Sequence, residues 1–129
     1  MSAEAKHIQD GFTTITPYLY GDVRLIDFLK KAFGAELVSG GTPQGSELHS
    51  ELEIGGAKVM VGSGWFADKS MSAATWVYVP DVDATHKRAV QLGATSLREP
   101  ANMTWGDRVC GVKDMCGNTW WIATHKGSN

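Results

Sequence analysis

Hydrophobic residues recur along the chain with the two spacings that distinguish helices from strands. In the stretch 23–33 they return every three or four positions, at Leu25, Phe28, Leu29, Ala32 and Phe33. This spacing predicts a helix with one apolar side. Asp22 precedes the stretch and Gly34 follows it, and these residue types commonly cap the start and the end of a helix.

The same pattern returns 59 residues further along the chain. The dipeptide Asp-Val at 22–23 recurs at 81–82, and Gly-Ala at 34–35 recurs at 93–94. The second helical stretch carries a weaker apolar stripe but has the same capping residues. A repeat of this kind indicates two copies of one structural unit.

Each helical stretch is preceded by one run typical of a strand and followed by three. The first copy contains TTITPYLY, then AELVSG, SELHSELEI and AKVMVG; the second contains ATWVYV, then ATSLRE, DRVCGVKD and TWWIATH. Gly-Gly and Gly-Asn pairs between these runs are typical of hairpin turns. We therefore predict an α+β fold with two tandem βαβββ modules, about 12–62 and 73–125. A linker at 63–72 joins them within a single domain spanning 1–129.

Composition narrows the classes of function. The chain has 129 residues and a formal net charge of −2, which argues against a nucleic-acid-binding surface. It has no apolar run long enough to span a membrane, and its polar start does not resemble a secretion signal. Two cysteines at 110 and 116 are too few for a disulfide framework. We expect a cytoplasmic protein with reduced thiols.

Several segments resemble the vicinal oxygen chelate superfamily, also called the glyoxalase/bleomycin resistance/dioxygenase group. They are TITPYL, IDFLKKAFGAE, VYVPDVDA, WGDR and GNTWWIATH. Their sequences are most similar to the PhnB-like branch of the superfamily. The resemblance implies an open, barrel-like mixed sheet with the helices outside and a cavity on its concave side. It also suggests a homodimer, and the apolar linker residues Trp65 and Phe66 are typical of an interface.

Strand alternation predicts which side chains face that cavity. In SELHSELEI, Leu48, Leu52 and Ile54 are expected under the helix, so His49 and Glu51 point to the concave side. An imidazole beside a carboxylate suits general acid/base catalysis, and these two are the candidate catalytic residues. The alternative is that they form a purely structural hydrogen bond.

The candidate ligand-binding residues come mainly from the second module. The predicted cavity lining consists of Met60, Trp76, Tyr78, Cys110 and Trp121, with Trp105 closing one mouth. Cys110 and Arg108 are placed on this side by an assumed repeat offset of 61. Arg108 is a candidate for binding an anionic substrate group, or for an ion pair that fixes its hairpin. The alternative for the aromatic residues is that they only fill the barrel.

The resemblance also implies where a metal would be held. Superfamily enzymes use His or Glu from the first and fourth strands of each module, which correspond here to Ile15, Met60, Ala74 and Trp121. None of these side chains is a suitable ligand for a divalent transition metal. We therefore expect no metal and no other cofactor. A displaced site that begins with His49 and Glu51 is the alternative.

Two functions remain open at this stage. The favoured one is binding of a small molecule, aromatic or cationic, in the cavity. The other is an enzyme of the superfamily, glyoxalase-, epimerase- or dioxygenase-like, that uses His49 and Glu51. The superfamily fold is compatible with either function. The expected partners are a small-molecule ligand and a second copy of the chain, with no nucleic acid and no membrane.

Overall fold

Asp22 and Asp81 begin the two helices, as their spacing predicts. The Asp22 carboxylate accepts a hydrogen bond from the Arg24 amide, and the Asp81 carboxylate accepts one from the Ala84 amide. Gly34 ends the first helix in the left-handed conformation, at φ 70°. Because glycine has no Cβ, it adopts this conformation without steric strain.

The computed structural model describes residues 7–127; the polar start at 1–6 and the last two residues lie outside it. The first module consists of β1 (Tyr18–Tyr20), α1 (Val23–Phe33), β2 (Glu36–Gly40), β3 (Leu48–Ile54) and β4 (Ala57–Ser63). The second consists of β5 (Ala74–Tyr78), α2 (Val82–Gln91), β6 (Thr95–Asn102), β7 (Asp107–Lys113) and β8 (Thr119–His125). Neither helix is long and apolar enough to cross a membrane.

Each module forms one four-stranded mixed sheet. The strand order is β1-β4-β3-β2 in sheet one and β5-β8-β7-β6 in sheet two. The first strand of each module runs parallel to the last, and the other pairs are antiparallel. The predicted α+β fold with two βαβββ modules is confirmed. The two sheets do not close into a barrel within the described chain.

Both modules contribute to one hydrophobic core on the helix side of the sheets. Leu25, Phe28 and Leu29 of α1 are buried together with Trp120 and Ile122 of β8. The Phe33 ring lies 5.0 Å from the Trp120 ring, which links the two modules directly. Because the shared core lies on the helix side, the opposite face of each sheet is not covered by a helix.

A buried polar junction also connects the modules. The Asn118 side-chain amide donates a hydrogen bond to the Tyr20 carbonyl at the end of β1, at 2.8 Å, and accepts one from the Ala73 backbone N–H. The Asp114 carboxylate accepts hydrogen bonds from the Asn118 backbone N–H and from the Trp120 indole. Because buried polar groups are costly when unpaired, these bonds fix how the β7–β8 turn meets β1.

Candidate functional site

The face of sheet one that points away from α1, called face one, carries Tyr18, His49, Glu51, Glu53, Lys58 and Met60. The register pairs Tyr18 and Glu51 with Met60, and Glu53 with Lys58, so these side chains emerge on one side. Leu48, Leu52 and Val61 are buried on the other side, under α1. The predicted orientation of His49 and Glu51 is therefore correct.

A hydrogen-bonded chain runs across face one. The Tyr18 hydroxyl lies 3.1 Å from His49 Nδ1, and His49 Nε2 lies 3.3 Å from Glu51 Oε2. The Ser39 hydroxyl donates to Glu51 Oε1 at 2.8 Å. Sequence reasoning identified the His49–Glu51 pair but missed Tyr18 and Ser39, which come from other strands.

Glu51 determines how the His49 ring is protonated. An ionised carboxylate only accepts hydrogen bonds, so the Nε2–H of His49 donates to Glu51. In the neutral ring Nδ1 is then the acceptor, and the Tyr18 hydroxyl donates to it. The hydrogen bond from Ser39 is the main cause that lowers the pKa of Glu51; burial opposes it and the bond from His49 adds to it. Burial raises the pKa of Tyr18.

His49 and Tyr18 line a small cavity with the linker. It has a volume of about 150 Å³, and its walls include Trp65 and Phe66. The Phe66 ring lies 6.0 Å from the Tyr18 ring. The linker aromatics, predicted only as interface residues, thus form part of the surroundings of His49.

The segment before β1 also reaches face one. Lys58 donates a hydrogen bond to the Gly11 carbonyl at 2.9 Å, and its ammonium lies 5.5 Å from the centre of the Phe12 ring. A side-chain hydrogen bond from Gln9 contributes to lowering the pKa of Glu51. Residues 9–12 therefore partly cover the end of face one at Lys58.

The helix-free face of sheet two, called face two, carries Trp76, Tyr78, Asp107, Val109, Gly111, Trp121 and His125. Trp76 pairs with Trp121, and the exposed fractions of Trp76 and Tyr78 are 43% and 62%. A Cβ on Gly111 would overlap the Trp121 ring, so the absence of a side chain there lets the indole lie across β7. The predicted orientation of Trp76, Tyr78 and Trp121 is correct.

Two predicted ligand-binding residues lie elsewhere. Cys110 is fully buried in the core on the helix side, and burial raises the pKa of its thiol to about 11. Arg108 also points to the helix side, where it forms an ion pair with Asp83 of α2 at 2.8 Å. Their predicted concave orientation is wrong.

The error has a simple structural origin. Glu51 and Gly111 occupy equivalent positions, opposite Met60 and Trp121, so the offset between β3 and β7 is 60. The offset of 61 applies only after the β7–β8 turn, which is one residue longer than the β3–β4 turn. A one-residue slip in a strand moves every side chain to the other face.

Two more predicted ligand-binding residues, Trp105 and Met60, lie in different parts of the structure. Trp105 lies in the β6–β7 connection and is exposed. It contributes a hydrogen bond that helps to lower the pKa of Asp107, the face-two residue two positions away. Met60 lies on face one beside Tyr18 and Glu51, not on the same sheet as Trp76 and Trp121.

The residues at the positions for a superfamily metal do not fit one. The register places Tyr18, and not Ile15, beside Met60, and it places Trp76, and not Ala74, beside Trp121. Thioether and indole groups are poor ligands for zinc, manganese or iron, and a single phenol does not make a site. Within residues 7–127 no three His, Cys, Asp or Glu side chains are grouped to hold a metal ion.

Comparison with known proteins gives a consistent family. The model of the Glyoxalase/Bleomycin resistance protein/Dioxygenase superfamily matches residues 23–122. An uncharacterized protein of Mycobacterium bovis, Mb0911c, is 34% identical, with 82% of this chain and 79% of the relative covered. The uncharacterized Rv0887c of Mycobacterium tuberculosis has the same identity, with 82% and 71% covered.

Solved structures share the architecture. TioX from Micromonospora sp. ML1 matches with a TM-score of 0.70 and 27% identity, covering 88% of this chain and 98% of that one. FosX, a fosfomycin resistance protein from Listeria monocytogenes, matches with a TM-score of 0.65 and 16% identity, covering 87% of this chain and 92% of that one. Glyoxalase I from Zea mays matches with a TM-score of 0.66 and 17% identity, covering 88% of this chain and 45% of that one. At these identities the last two show likeness of fold alone.

Proposed function

Because the chain belongs to the Glyoxalase/Bleomycin resistance protein/Dioxygenase superfamily, we propose that it binds a small aromatic or cationic molecule on the helix-free faces of its sheets. The binding uses no metal. The observation that carries this proposal is that Trp76 and Tyr78 stay exposed on face two, although Cys110, Val112, Trp120 and Ile122 on the other side of the same sheet are buried.

The chemistry of both faces supports this proposal. Trp76 and Tyr78 offer ring surfaces 6.2 Å apart in a T-shaped arrangement. Such rings bind planar or cationic ligands through stacking and cation–π contact. Face one offers the polar groups of Tyr18 and His49 beside its cavity. Apolar surface with few polar groups is typical of small-molecule sites.

A ligand screen tests the binding proposal. A library of small aromatic acids, amines and quaternary ammonium compounds is screened by thermal shift, and each hit is recovered and checked by mass spectrometry. We expect a compound that raises the melting temperature and is recovered unchanged. Trp76→Ala is expected to weaken its binding at least about tenfold, by loss of stacking contact.

Val90→Ala, an exposed apolar position on α2, is the matched control and is expected to bind normally. A hit whose affinity is the same in wild type, Trp76→Ala and Trp121→Ala would contradict binding on face two.

The absence of metal is tested separately. The proposal rests on the side chains Tyr18, Met60, Trp76 and Trp121 at the superfamily's metal positions. Protein purified without chelator and without a histidine tag is analysed for metals by mass spectrometry. We expect far less than one equivalent of transition metal per chain. Nearly one equivalent, lost in His49→Ala, would indicate the displaced site.

An acid/base enzyme is the second candidate, and the Tyr18–His49–Glu51 chain favours it. In this role Glu51 is a positioning residue, because it holds the Nε2–H of His49. The Tyr18 hydroxyl and His49 Nδ1 then exchange the proton with a substrate. The observation in its favour is that the His49 ring connects the hydroxyl of the half-buried Tyr18 to the buried Glu51 carboxylate.

Deuterium exchange tests this candidate. Small ketones and 2-oxo acids are incubated with the protein in D2O, and exchange beside the carbonyl is followed by NMR. If a compound exchanges, His49→Ala and Glu51→Gln are expected to slow it about 100-fold or more. Glu53→Gln, on the same strand and face, is the matched control. Equal rates in all variants would leave His49 and Glu51 with a structural role.

Three further features complete the proposal. The protein is assigned to the PhnB-like branch on the sequence segments that resemble it. A homodimer is proposed because Trp65 and Phe66 are exposed apolar residues.

A cytoplasmic location is proposed because Cys110 and Cys116 are free thiols. Cell fractionation that finds the protein outside the cytoplasm would contradict the location.

A further inference from the structure

We propose that Tyr78, Asp107 and His125 form a second hydrogen-bonding site, on face two, for a flat small molecule that carries an O–H or N–H donor. The site is separate from the Tyr18–His49–Glu51 chain on face one. It extends the proposed function, because it assigns a polar group and a ligand class to the aromatic surface of sheet two.

The three residues meet because of strand register. Asp107 opens β7 and His125 closes β8, and the two are directly paired across the strands. His125 Nδ1 lies 2.6 Å from Asp107 Oδ1, and the Tyr78 hydroxyl donates to Asp107 Oδ2 at 3.1 Å. Asp107 is 2% exposed, so the carboxylate is enclosed by the groups that bond to it.

The buried Asp107 carboxylate fixes which ring nitrogen of His125 carries the hydrogen. Asp107 only accepts hydrogen bonds when it is ionised, so His125 carries its hydrogen on Nδ1. The lone pair of the neutral ring is then on Nε2, which forms no hydrogen bond with any residue in the described part of the chain. The His125 side chain is 55% exposed. A neutral histidine ring held in this way accepts a hydrogen bond at Nε2.

The surroundings determine the class of ligand. Trp76 and Tyr78 form a T-shaped pair on the same face, and Trp105 lies beside Asp107 and is exposed. Arg108 points to the other side of the sheet, toward Asp83. The site therefore combines aromatic surface with one acceptor nitrogen, and Arg108 does not face it. The arginine that does belong to face two, Arg98, pairs with Gly111, four residues along β7 from Asp107. This combination fits phenols and azoles better than carboxylates or phosphates.

NMR of the histidine ring nitrogens tests the first step. In wild type we expect the neutral His125 ring to carry its hydrogen on Nδ1. Asp107→Asn is expected to shift the hydrogen to Nε2, because the amide then donates to Nδ1. Asp83→Asn, which changes an acid on the opposite side of the sheet, is the matched control and is expected to leave the ring unchanged. A wild-type ring with its hydrogen on Nε2 would overturn the proposal.

Phenol and anisole test the second step, because they share a ring and only phenol has an O–H donor. We expect phenol to shift the His125 Nε2 signal and to bind about tenfold more tightly than anisole, the value of one hydrogen bond. Equal shifts and affinities for both compounds would overturn the proposal.

The two levels of the proposal can be separated. A ligand that shifts the Trp76 and Trp121 indole signals but not His125 would support binding on face two and overturn the assigned acceptor. If Asp107→Asn does not fold, the wild-type ring state and the comparison of phenol with anisole decide the result. Tyr78→Phe, which keeps the ring and removes one donor to Asp107, is then expected to retain the Nδ1–H form.

Discussion

At the scale of single residues, Ser39 controls the charge of Glu51 more strongly than His49 does. Its hydroxyl bonds to the carboxylate at 2.8 Å, while the His49 nitrogen is 3.3 Å away. Both lower the pKa of Glu51 below the ordinary 4.5. The ionised carboxylate therefore stabilises the fold above about pH 4.5, and this contribution is lost as the pH falls through the lowered pKa.

Ser39→Ala is expected to raise the pKa of Glu51 toward its ordinary value. The stabilisation that the ionised carboxylate contributes then becomes smaller. Carbon-13 NMR of the glutamate carboxyl groups gives this pKa directly. The titration runs from about pH 2 to pH 7, a range that includes both an ordinary and a lowered carboxyl pKa. Ser46→Ala, in the exposed loop between β2 and β3, is the control. An unchanged Glu51 pKa in Ser39→Ala would show that the hydroxyl does not stabilise the charge.

Gly111 illustrates how one missing side chain shapes the ligand surface. Adding a Cβ there overlaps the Trp121 ring, which lies across the strand. We expect Gly111→Ala to destabilise the fold by about 1–3 kcal/mol, through overpacking, and to change tryptophan fluorescence. Urea unfolding measures the cost. In a Trp121→Ala background the cost of Gly111→Ala should vanish; a cost that persists would mean that the ring is not the cause.

At the scale of elements, the β7–β8 turn acts as the joint between the two modules. Asn118 in this turn is fully buried, and its side chain bonds to Tyr20 of β1 and to Ala73, the residue before β5. The turn is one residue longer than its counterpart in module one. This extra length gives room for Asp114 to bond the Cys116 and Asn118 amides within the turn.

Asn118→Ala is expected to cost about 3 kcal/mol, because it leaves the Tyr20 carbonyl and the Ala73 amide without their partner in a buried place. Chemical denaturation provides the measurement. Asn102→Ala, which removes an exposed hydrogen bond to Arg108, serves for comparison and should cost less than about 1 kcal/mol. Similar costs for the two substitutions would exclude a special role for the joint.

At the scale of the whole molecule, the core covers much of the helix side of both sheets, while parts of face one and face two and the linker aromatics stay exposed. Trp65 is 82% exposed, and Ile15, Phe66 and Trp105 are also exposed. Apolar surface of this extent is typical of an interface with another molecule. The proposed second copy of the chain would cover part of it.

Sedimentation velocity tests the dimer. We expect a species of twice the 13.9 kDa chain mass at micromolar concentration, and dissociation when Trp65→Ala and Phe66→Ala are combined. Val90→Ala changes an exposed apolar residue on α2 and should leave the mass unchanged. A 14 kDa species for wild type would refute the dimer and leave ligand binding by the single chain to be tested alone.

The sequence by itself determined the elements and their order. Caps at Asp22, Asp81 and Gly34 and the spacing of apolar residues are local signals, so both helices and the two βαβββ modules could be predicted from them. Strand alternation within one run also placed His49, Glu51, Trp76 and Tyr78 on the correct faces. These features depend only on residues close together in the chain.

Only the tertiary structure decided which distant residues meet. The sidedness of Cys110 and Arg108 depends on a single residue added in the β7–β8 turn, and the meeting of Ser39 with Glu51 depends on the β2–β3 pairing, which contains a register shift. Asp107 and His125 are 18 positions apart and meet because β7 and β8 pair at their ends. Register is set by turn length and bulges, which carry weak sequence signals, and one residue of slip exchanges the core side for the ligand side.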